Sequence, residues 1–182
     1  MPFVTTPFDG LRIFEPTIYN DERGYFYESF NKKNYNELDL TNEFVQDNQA
    51  YSCFGVVRGL HYQCGDAAQA KLVSVLQGAV IDVVVDLRND SVTYGKSFCI
   101  ELNDTNKKQL YVPRGFAHGY SVISSHALFY YKCDNYYNKA AEAGINLLDT
   151  TLNINWQVPT NSMILSDKDK ILTNFNASQK YF

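Results

Sequence analysis

The chain has 182 residues, a net charge of −4 and a hydrophobic content of 45%. This length fits one domain, assigned here to 1–182, and is sufficient to bury a core without disulfide or metal support. The acidic balance argues against a protein that binds nucleic acid or a membrane surface, since such proteins usually carry a basic face. The N-terminal residues lack a signal-peptide pattern and no apolar run approaches about 18 residues, so a cytoplasmic protein is expected.

The four cysteines are widely spread and form no C-x-x-C pair. Their spacing predicts neither a disulfide framework nor a zinc ribbon. We therefore expect reduced thiols that fill space, at Cys53, Cys64, Cys99 and Cys133.

The predicted elements begin with a helix over Asn31–Leu38, in which Asn31 can act as the N-cap. The strongest strand signal follows over Lys71–Arg88, where two β-branched runs are separated by Gln77-Gly78. Because glycine suits a tight turn between strands, this segment predicts a hairpin of buried strands.

Further short β-rich segments recur along the chain and end at turn residues such as Asn103-Asp104 and Pro113-Arg114-Gly115. These segments are SFCIELN from Ser97, QLYVP from Gln109, GYSVIS from Gly119 and ALFYYKC from Ala127. Near the C-terminus, Ser166–Asp169 can open a second helical turn. Residues 173–182 have the pattern of a mobile tail, or of a polar end with a last aromatic pair.

Many short strands, few helices and 15% aromatic residues predict an all-β fold. Our choice among the closed or sandwiched arrangements is a cupin-type jelly-roll barrel with a few short peripheral helices. The mouth of such a barrel can hold one small ligand.

The fragment RGLHYQ places Arg58 and His61 three positions apart. In an extended strand this spacing puts them on opposite faces, so either a bend intervenes or only one points inward. His61 can serve as a general base because histidine titrates near neutral pH. The alternative is a histidine that is merely hydrogen-bonded near a strand end.

Two later fragments also carry candidate residues. In PRGFAHGY, His118 lies between two glycines after a proline turn, where the backbone can approach a ligand closely; the alternative is an ordinary turn. In FYYKCDNYY, the aromatic pattern is more typical of a core strand. Its phenols are nevertheless costly to bury unpaired, so some of them should reach a polar cavity or the surface: Tyr130, Tyr131, Tyr136 and Tyr137.

Metal binding is not predicted, although cupin barrels often hold a metal through an H-x-H pair with a carboxylate nearby. The histidines here are His61, His118 and His126, and none are two positions apart. The alternative is a site built from two histidines and a carboxylate that are distant in sequence.

A series of motifs resembles the dTDP-4-dehydrorhamnose 3,5-epimerase family, in the order found there and over about Thr6 to Asp169. Each fragment alone is weak, but their joint order and spacing are specific. The motifs are DERGYFYESF (Asp21–Phe30), QDN (Gln46–Asn48), VVRGLHYQ (Val56–Gln63), AQAKLV (Ala68–Val73), VVVDLR with SVTYGK (Val83–Lys96), VPRGFAHGY, YKCDNYY and LSDKD (Leu165–Asp169).

The resemblance implies that His61 is the catalytic base and that Asp169 holds its ring in the correct tautomer. It implies that Tyr131 is the acid and that Lys71 lies near the C4 oxygen of the sugar. Tyr137 is similar to the residue that stacks on thymine. The remaining implied substrate-binding residues, to which Lys71 also belongs, are Arg23, Phe26, Glu28, Gln46, Asp47, Asn48, Arg58, His118, Glu142 and Lys168.

The activity implied is inversion of C3 and C5 of dTDP-4-dehydro-6-deoxy-D-glucose through a C4 enolate, with a dTDP-sugar as substrate, no cofactor and a homodimeric assembly. Three alternatives stay open. They are a 3-epimerase or ketoisomerase acting on another deoxysugar nucleotide, a non-catalytic sugar-nucleotide-binding module, and a metal-dependent cupin oxygenase.

Overall fold

The structure is a computed structural model that describes residues 3–36, 40 and 43–182. Within these residues the helices are α1 (Lys32–Asn36) and α2 (Asp167–Lys170), and 3₁₀ turns lie at Gly65–Ala67, Lys139–Ala141 and Thr160–Ser162. The strands of the same residues are β1 (Phe3–Thr5), β2 (Arg12–Phe14), β3 (Tyr19–Asp21), β4 (Gly24–Phe26), β5 (Gln46–Cys53), β6 (Val57–Gln63), β7 (Lys71–Gln77), β8 (Ala79–Asp86), β9 (Ser97–Asn103), β10 (Gln109–Val112), β11 (Phe116–Val122), β12 (His126–Cys133) and β13 (Glu142–Gly144). None of the helices in this part of the chain is long and apolar enough for a membrane crossing.

The strands form two antiparallel sheets that face each other. One sheet has the order β1-β2-β10-β7-β12-β5 and the other β13-β6-β11-β8-β9, while β3 and β4 pair separately. Val73 and Phe129 from the first sheet and Val84 and Val122 from the second belong to one buried cluster. The predicted all-β jelly-roll fold of the cupin type is therefore confirmed, with the main core between the inner faces of the sheets.

The strands predicted over Lys71–Arg88 are present as β7 and β8, with Gly78 between them at a φ of +79°. The predicted hairpin is wrong, because β7 pairs with β10 and β12 whereas β8 pairs with β11 and β9. Gly78 marks the corner where the chain passes from one sheet to the other, and a Cβ there would clash with the backbone of His126. Periodicity identified both strands, but their pairing depends on residues far away in sequence.

Both predicted helix starts are found. The Asn31 side chain accepts a hydrogen bond from the backbone N–H of Lys33 at 3.1 Å, so Asn31 caps α1; the predicted end at residues 37–38 lies outside the described residues. Ser166 caps α2 by accepting from the backbone N–H of Asp169 at 3.1 Å. These caps satisfy N–H groups that have no partner within the helix.

A second core covers the outer face of the five-stranded sheet, where Val83 and Val85 pack with Trp156. The C-terminal residues 173–182 are docked on this side. Tyr181 stacks on Phe175 with a centroid distance of 5.6 Å and an interplanar angle of 13°. Of the two predictions for this segment, the polar end with a last aromatic pair therefore describes it better than the mobile tail. The aromatic rings of the segment extend the second core.

The cysteines are all free thiols, but they do not all fill space. Only Cys133 is buried, while Cys53, Cys64 and Cys99 are exposed. The expectation that all four pack inside the protein is therefore wrong for three of them. Cys53 and Cys99 lie on the solvent side of β5 and β9, and Cys64 lies in the loop that follows β6.

Candidate active site

Strand β6 presents Arg58 and His61 on the same face because it contains one extra residue opposite β11. In the register of the two strands, His61 lies opposite His118 and Arg58 lies opposite Tyr120, so three steps on β6 match two on β11. Such a bulge shifts the alternation of side chains along the strand. Both side chains thus line one cavity, and Gly59, at a φ of +132°, provides the backbone freedom that the bulge requires.

This cavity has a volume of about 430 Å³ and lies between the two sheets. His61 comes from β6 of the five-stranded sheet, whereas Lys71 on β7 and Tyr131 on β12 come from the six-stranded sheet. The imidazole and the phenol therefore belong to opposite walls. A ligand between the sheets can be reached by a base from one side and by an acid from the other.

His61 is held by a carboxylate that is distant in sequence. Its Nε2 lies 2.6 Å from Oδ1 of Asp169, in the short helix α2, and the Asp169 side chain is only 3% exposed. A carboxylate accepts hydrogen bonds, so this contact assigns the proton to Nε2 and leaves a lone pair on Nδ1. The predicted pairing of His61 with Asp169 is present in the structure, and it produces the tautomer that a base requires.

Two opposing effects act on the pKa of His61. Burial lowers it because the charged imidazolium loses water, whereas the hydrogen bond and charge of Asp169 raise it. Burial is the larger effect, so the pKa lies below that of a free histidine. The imidazole consequently remains neutral, and able to accept a proton, at lower pH than a free histidine.

The opposite wall carries a phenol and an ammonium group in a buried setting. Burial raises the pKa of Tyr131 to about 12, although the charge of Arg58 opposes the change. The phenol thus stays protonated near neutral pH. Burial lowers the pKa of Lys71, and the nearby Cys133 and Asp82 partly offset this effect.

A second histidine–carboxylate pair lies in the same cavity. Nε2 of His118 lies 3.0 and 3.1 Å from the two carboxylate oxygens of Asp82 on β8, and the two side chains are 7% and 0% exposed. His118 lies inside β11 and not in the turn before it. Sequence reasoning missed Asp82, although an acidic residue within the apolar run VIDVVVD signals a buried charge that needs a partner.

A smaller cavity of about 260 Å³ adjoins the first and shares His61, Lys71 and Tyr131 with it. The Tyr137 hydroxyl donates to Glu142 at 2.9 Å, and Lys168 forms an ion pair with the same carboxylate. Burial raises the pKa of Glu142, but the hydrogen bonds from Lys168 and Tyr137 outweigh it and hold the pKa low.

Two further predicted substrate-binding residues, Gln46 and Asn48, lie on the side of β5 that faces the cavity. Gln46 donates to the Asn48 side chain at 3.1 Å and accepts from the backbone N–H of Tyr137 at 3.0 Å. The described part of the chain thus brings together most of the predicted set: His61, Lys71, Tyr131, Asp169, Gln46, Asn48, Arg58, His118, Tyr137, Glu142 and Lys168.

Four predicted substrate-binding residues do not line these two cavities. Asp47 is on the outer side of β5, where it accepts hydrogen bonds from Lys132 and Tyr130. Arg23, Phe26 and Glu28 belong to the segment that contains the β3–β4 hairpin, and Phe26 is 69% exposed. Phe26 and Glu28 line a separate cavity instead.

The described residues contain no group of three or more histidine, cysteine and acidic side chains in an arrangement that could hold a metal ion. His61 and His118 each have a carboxylate as their ring partner instead. The geometry of both pairs is that of hydrogen-bonded dyads.

Comparison with known proteins gives the family. The family model described as dTDP-4-dehydrorhamnose 3,5-epimerase matches residues 5–177. The chain belongs to this family. Among its curated members, the dTDP-4-dehydrorhamnose 3,5-epimerase of Shigella flexneri is 48% identical over 170 residues, which are 93% of each chain.

Solved structures of the epimerase family have the same fold. The crystal structure of dTDP-4-dehydrorhamnose 3,5-epimerase from Elizabethkingia anophelis NUHP1 is similar with a TM-score of 0.93 and 53% identity, and covers 96% of both chains. The dTDP-6-deoxy-D-glucose-3,5-epimerase of Legionella pneumophila, in complex with dTDP-4-keto-L-rhamnose, has a TM-score of 0.91 and 48% identity, covering 95% of this chain and 92% of that one.

The ionisation of His61 can be tested by titrating its ring resonances by NMR. We expect its pKa below that of a free histidine, and a further decrease in Asp169→Asn, because burial remains while the carboxylate that raises the pKa is lost. Asp167→Asn is the matched control, since it removes an exposed carboxylate of the same helix that pairs with Lys170. A higher pKa in Asp169→Asn, or equal shifts in both variants, would contradict the analysis.

Proposed function

We propose that this protein inverts C3 and C5 of dTDP-4-dehydro-6-deoxy-D-glucose to give dTDP-4-dehydro-L-rhamnose. The observation that carries the proposal is the placement of His61 and Tyr131 on opposite walls of one cavity, with Lys71 between the sheets. Membership of the epimerase family supports the reaction class. The bound dTDP-4-keto-L-rhamnose of the Legionella relative supports the substrate class.

The first step is proton abstraction by His61. The C–H bonds next to the C4 carbonyl are acidic because the carbanion delocalises onto the carbonyl oxygen as an enolate. Nδ1 of the neutral imidazole takes the proton, and Asp169, hydrogen-bonded to Nε2, stabilises the imidazolium that results. The electron pair of the C–H bond moves into the enolate, so charge is conserved in the step.

Lys71 is assigned to the enolate oxygen. An ammonium group in a buried site stabilises a developing negative charge more strongly than it would in water, because the local dielectric is low. Its lowered pKa also makes it a better hydrogen-bond donor to that oxygen. The Lys71 side chain lines both cavities and can reach a sugar that spans their junction.

Tyr131 is assigned to the return of a proton from the opposite side. With a pKa of about 12 the phenol is protonated at neutral pH and can donate to the enolate carbon. Removal of hydrogen from one face and its return to the other inverts the carbon. Two such events, at C3 and at C5, give the product, and both protein groups regain their starting state by exchange with solvent.

The nucleotide is assigned to both cavities, with the thymine in the smaller one and the diphosphate beside the residues of the larger one that carry positive charge. Tyr137 offers an aromatic face for the thymine, and Gln46 and Asn48 offer amide groups for hydrogen bonds. Arg58 and Lys168 provide positive charge for the diphosphate. Asp82 fixes the ring of His118, which we assign to a substrate oxygen.

Replacement of His61 by Asn tests the proposed base. We expect turnover of dTDP-4-dehydro-6-deoxy-D-glucose to fall by about 10²–10⁴-fold, the usual contribution of a general base, while the affinity for dTDP stays largely unchanged. A coupled reductase that traps L-rhamnose measures turnover, and calorimetry measures affinity. Substantial residual epimerisation would remove His61 from this role.

Replacement of Tyr131 by Phe separates the two halves of the reaction. In heavy water we expect deuterium exchange at C3 to survive better than net inversion, because enolate formation requires the base and not the acid on the opposite face. NMR of the recovered sugar nucleotide measures both. Equal losses of exchange and inversion would contradict the two-wall scheme.

Deuterium exchange in heavy water with the unmodified protein distinguishes the proposed 3,5-epimerase from the main alternative, a 3-epimerase. Deuterium at both C3 and C5 of the product supports the 3,5-epimerase, whereas deuterium at C3 alone supports the alternative. Binding of the sugar nucleotide without exchange or conversion would favour the non-catalytic module.

We also propose a homodimer in which the segment of one copy that contains the β3–β4 hairpin supplies Arg23, Phe26 and Glu28 to the cavity of the other. The hairpin exposes aromatic side chains, with Tyr19 at 64% and Tyr25 at 57% exposure, which is unusual for a surface that remains in water. A second copy of the chain would cover these rings. It would also explain why Arg23, Phe26 and Glu28, which we expect to contact the substrate, do not line the cavity of their own chain.

Complementation between inactive variants tests this assembly. Mixed dimers of Arg23→Ala and His61→Asn contain one intact site only if Arg23 acts across the interface, so random mixing should restore about one quarter of normal activity. A mixture of Lys71→Ala and His61→Asn is the control, because both changes damage the site of their own chain. No recovery in the first mixture, or a monomer by sedimentation, would contradict the proposal.

A further inference from the structure

Arg58 is held in the cavity wall by a hydroxyl group. Its Nε and Nη2 atoms donate to Oγ of Ser52 at 3.3 and 3.2 Å. Arg58 is exposed, whereas Ser52 is only 4% exposed, so the serine is the fixed member of the pair. A long side chain with several rotatable bonds is thereby tied to one position.

Ser52 belongs to the same side of β5 as predicted ligand contacts. Gln46, Asn48, Ala50 and Ser52 alternate along the strand with residues that are exposed. Their positions are paired with Cys133, Tyr131, Phe129 and Ala127 of β12. This row therefore faces the space between the sheets, and Ser52 is its most deeply buried member.

The acceptor at Arg58 differs in charge from those at three other arginines. Among the described residues, carboxylates pair with the guanidinium groups in Arg23–Asp21, Arg88–Asp86 and Arg114–Asp134. Arg58 has no carboxylate within ion-pair distance in the described part of the chain. Because Ser52 is neutral, it orients the guanidinium without cancelling the positive charge that an anion would require.

Ser52 uses only some of the N–H donors of Arg58, so the others can bind a ligand. A guanidinium has five N–H groups in a fixed plane, and the bonds from Nε and Nη2 to Ser52 use two of them. The N–H groups of Nη1 and the second N–H of Nη2 remain. These suit two oxygens of a phosphate group, which a planar fork binds in a bidentate manner.

Tyr120 forms the other support of this arrangement. Its hydroxyl is buried and has no hydrogen-bond partner in the described residues, and its ring stacks on Phe129 at 4.1 Å and 13°. Burial is the largest effect on this phenol and raises its pKa, while the positive charge of Arg58 opposes the change. Because its pKa is raised, this phenol is neutral near pH 7 and adds no negative charge beside Arg58.

We infer that Ser52 is a positioning residue that aims the free edge of Arg58 at the diphosphate of the bound sugar nucleotide. The inference rests on the proposed function, because it requires a nucleoside diphosphate in the cavity. Ser52 itself does not touch the reacting carbons. Its effect should therefore fall on binding and not on the chemical step.

Replacement of Ser52 by Ala or by Cys tests the inference. The cysteine side chain is close in size to serine, but its sulfur is a weak hydrogen-bond acceptor. We expect the Kd for dTDP and the KM for the sugar nucleotide to rise about tenfold to a hundredfold, as for a lost hydrogen bond to a charged group, with kcat changed less than about twofold. Ser52→Thr keeps the acceptor and should restore binding. Ser74→Ala is the matched control, since Ser74 is also buried, and its hydroxyl donates to the backbone of Tyr130.

A double-mutant experiment with Arg58 tests whether Ser52→Ala acts through Arg58 or through a general change of structure. In an Arg58→Ala background, Ser52→Ala should change the Kd for dTDP by less than about twofold. Normal dTDP binding by a folded Ser52→Ala or Ser52→Cys variant, or an equal loss in both backgrounds, would overturn the inference. If the unmodified protein neither binds dTDP nor converts the sugar nucleotide, the proposed function itself fails.

Discussion

The extra residue of β6 opposite β11 is the constraint on which the site depends. A regular strand alternates its side chains, so Arg58 and His61 would lie on opposite sides of the sheet. The bulge places both beside His118 and Tyr120 on the inner face. Without it, either the base or the cation that we assign to the diphosphate would point into the second core on the outer side of the sheet.

The space between the sheets sets the chemistry of the groups that line it. Burial lowers the pKa of both His61 and Lys71 and raises that of Tyr131, so each group is shifted towards its neutral form. A neutral base and a protonated acid are the states that proton transfer in opposite directions requires. Asp169 limits the shift of His61, and its placement by α2 links the C-terminal part of the chain to the reaction we propose.

The polar side chains of the cavity have two kinds of hydrogen-bond partner, charged carboxylates and a neutral hydroxyl. The histidines are oriented by carboxylates, which fix a tautomer and stabilise a positive ring. Arg58 is oriented by the neutral hydroxyl of Ser52, and in the described part of the chain no paired carboxylate offsets its positive charge. A buried acceptor that orients a donor thus occurs both at the residue that we propose as the base and at the residue that we propose as the diphosphate contact.

The sequence alone identified the strands β7 to β12, the helix caps at Asn31 and Ser166, and the family, because these depend on neighbouring residues and on ordered motifs. It did not identify β1 to β6 or β13 as strands. It also assigned the pairing of His61 with Asp169 by resemblance. It could not assign β7 and β8 to separate sheets, since strands buried on both faces give no sign of their partners. The apolar run around Asp82 signals a buried charge but not its partner, and nothing in the sequence points to Ser52, because both contacts arise from side chains brought close by strand pairing. Tertiary structure decided these points because the choice of sheet, the bulge and the burial of charge all depend on contacts between residues distant in the chain.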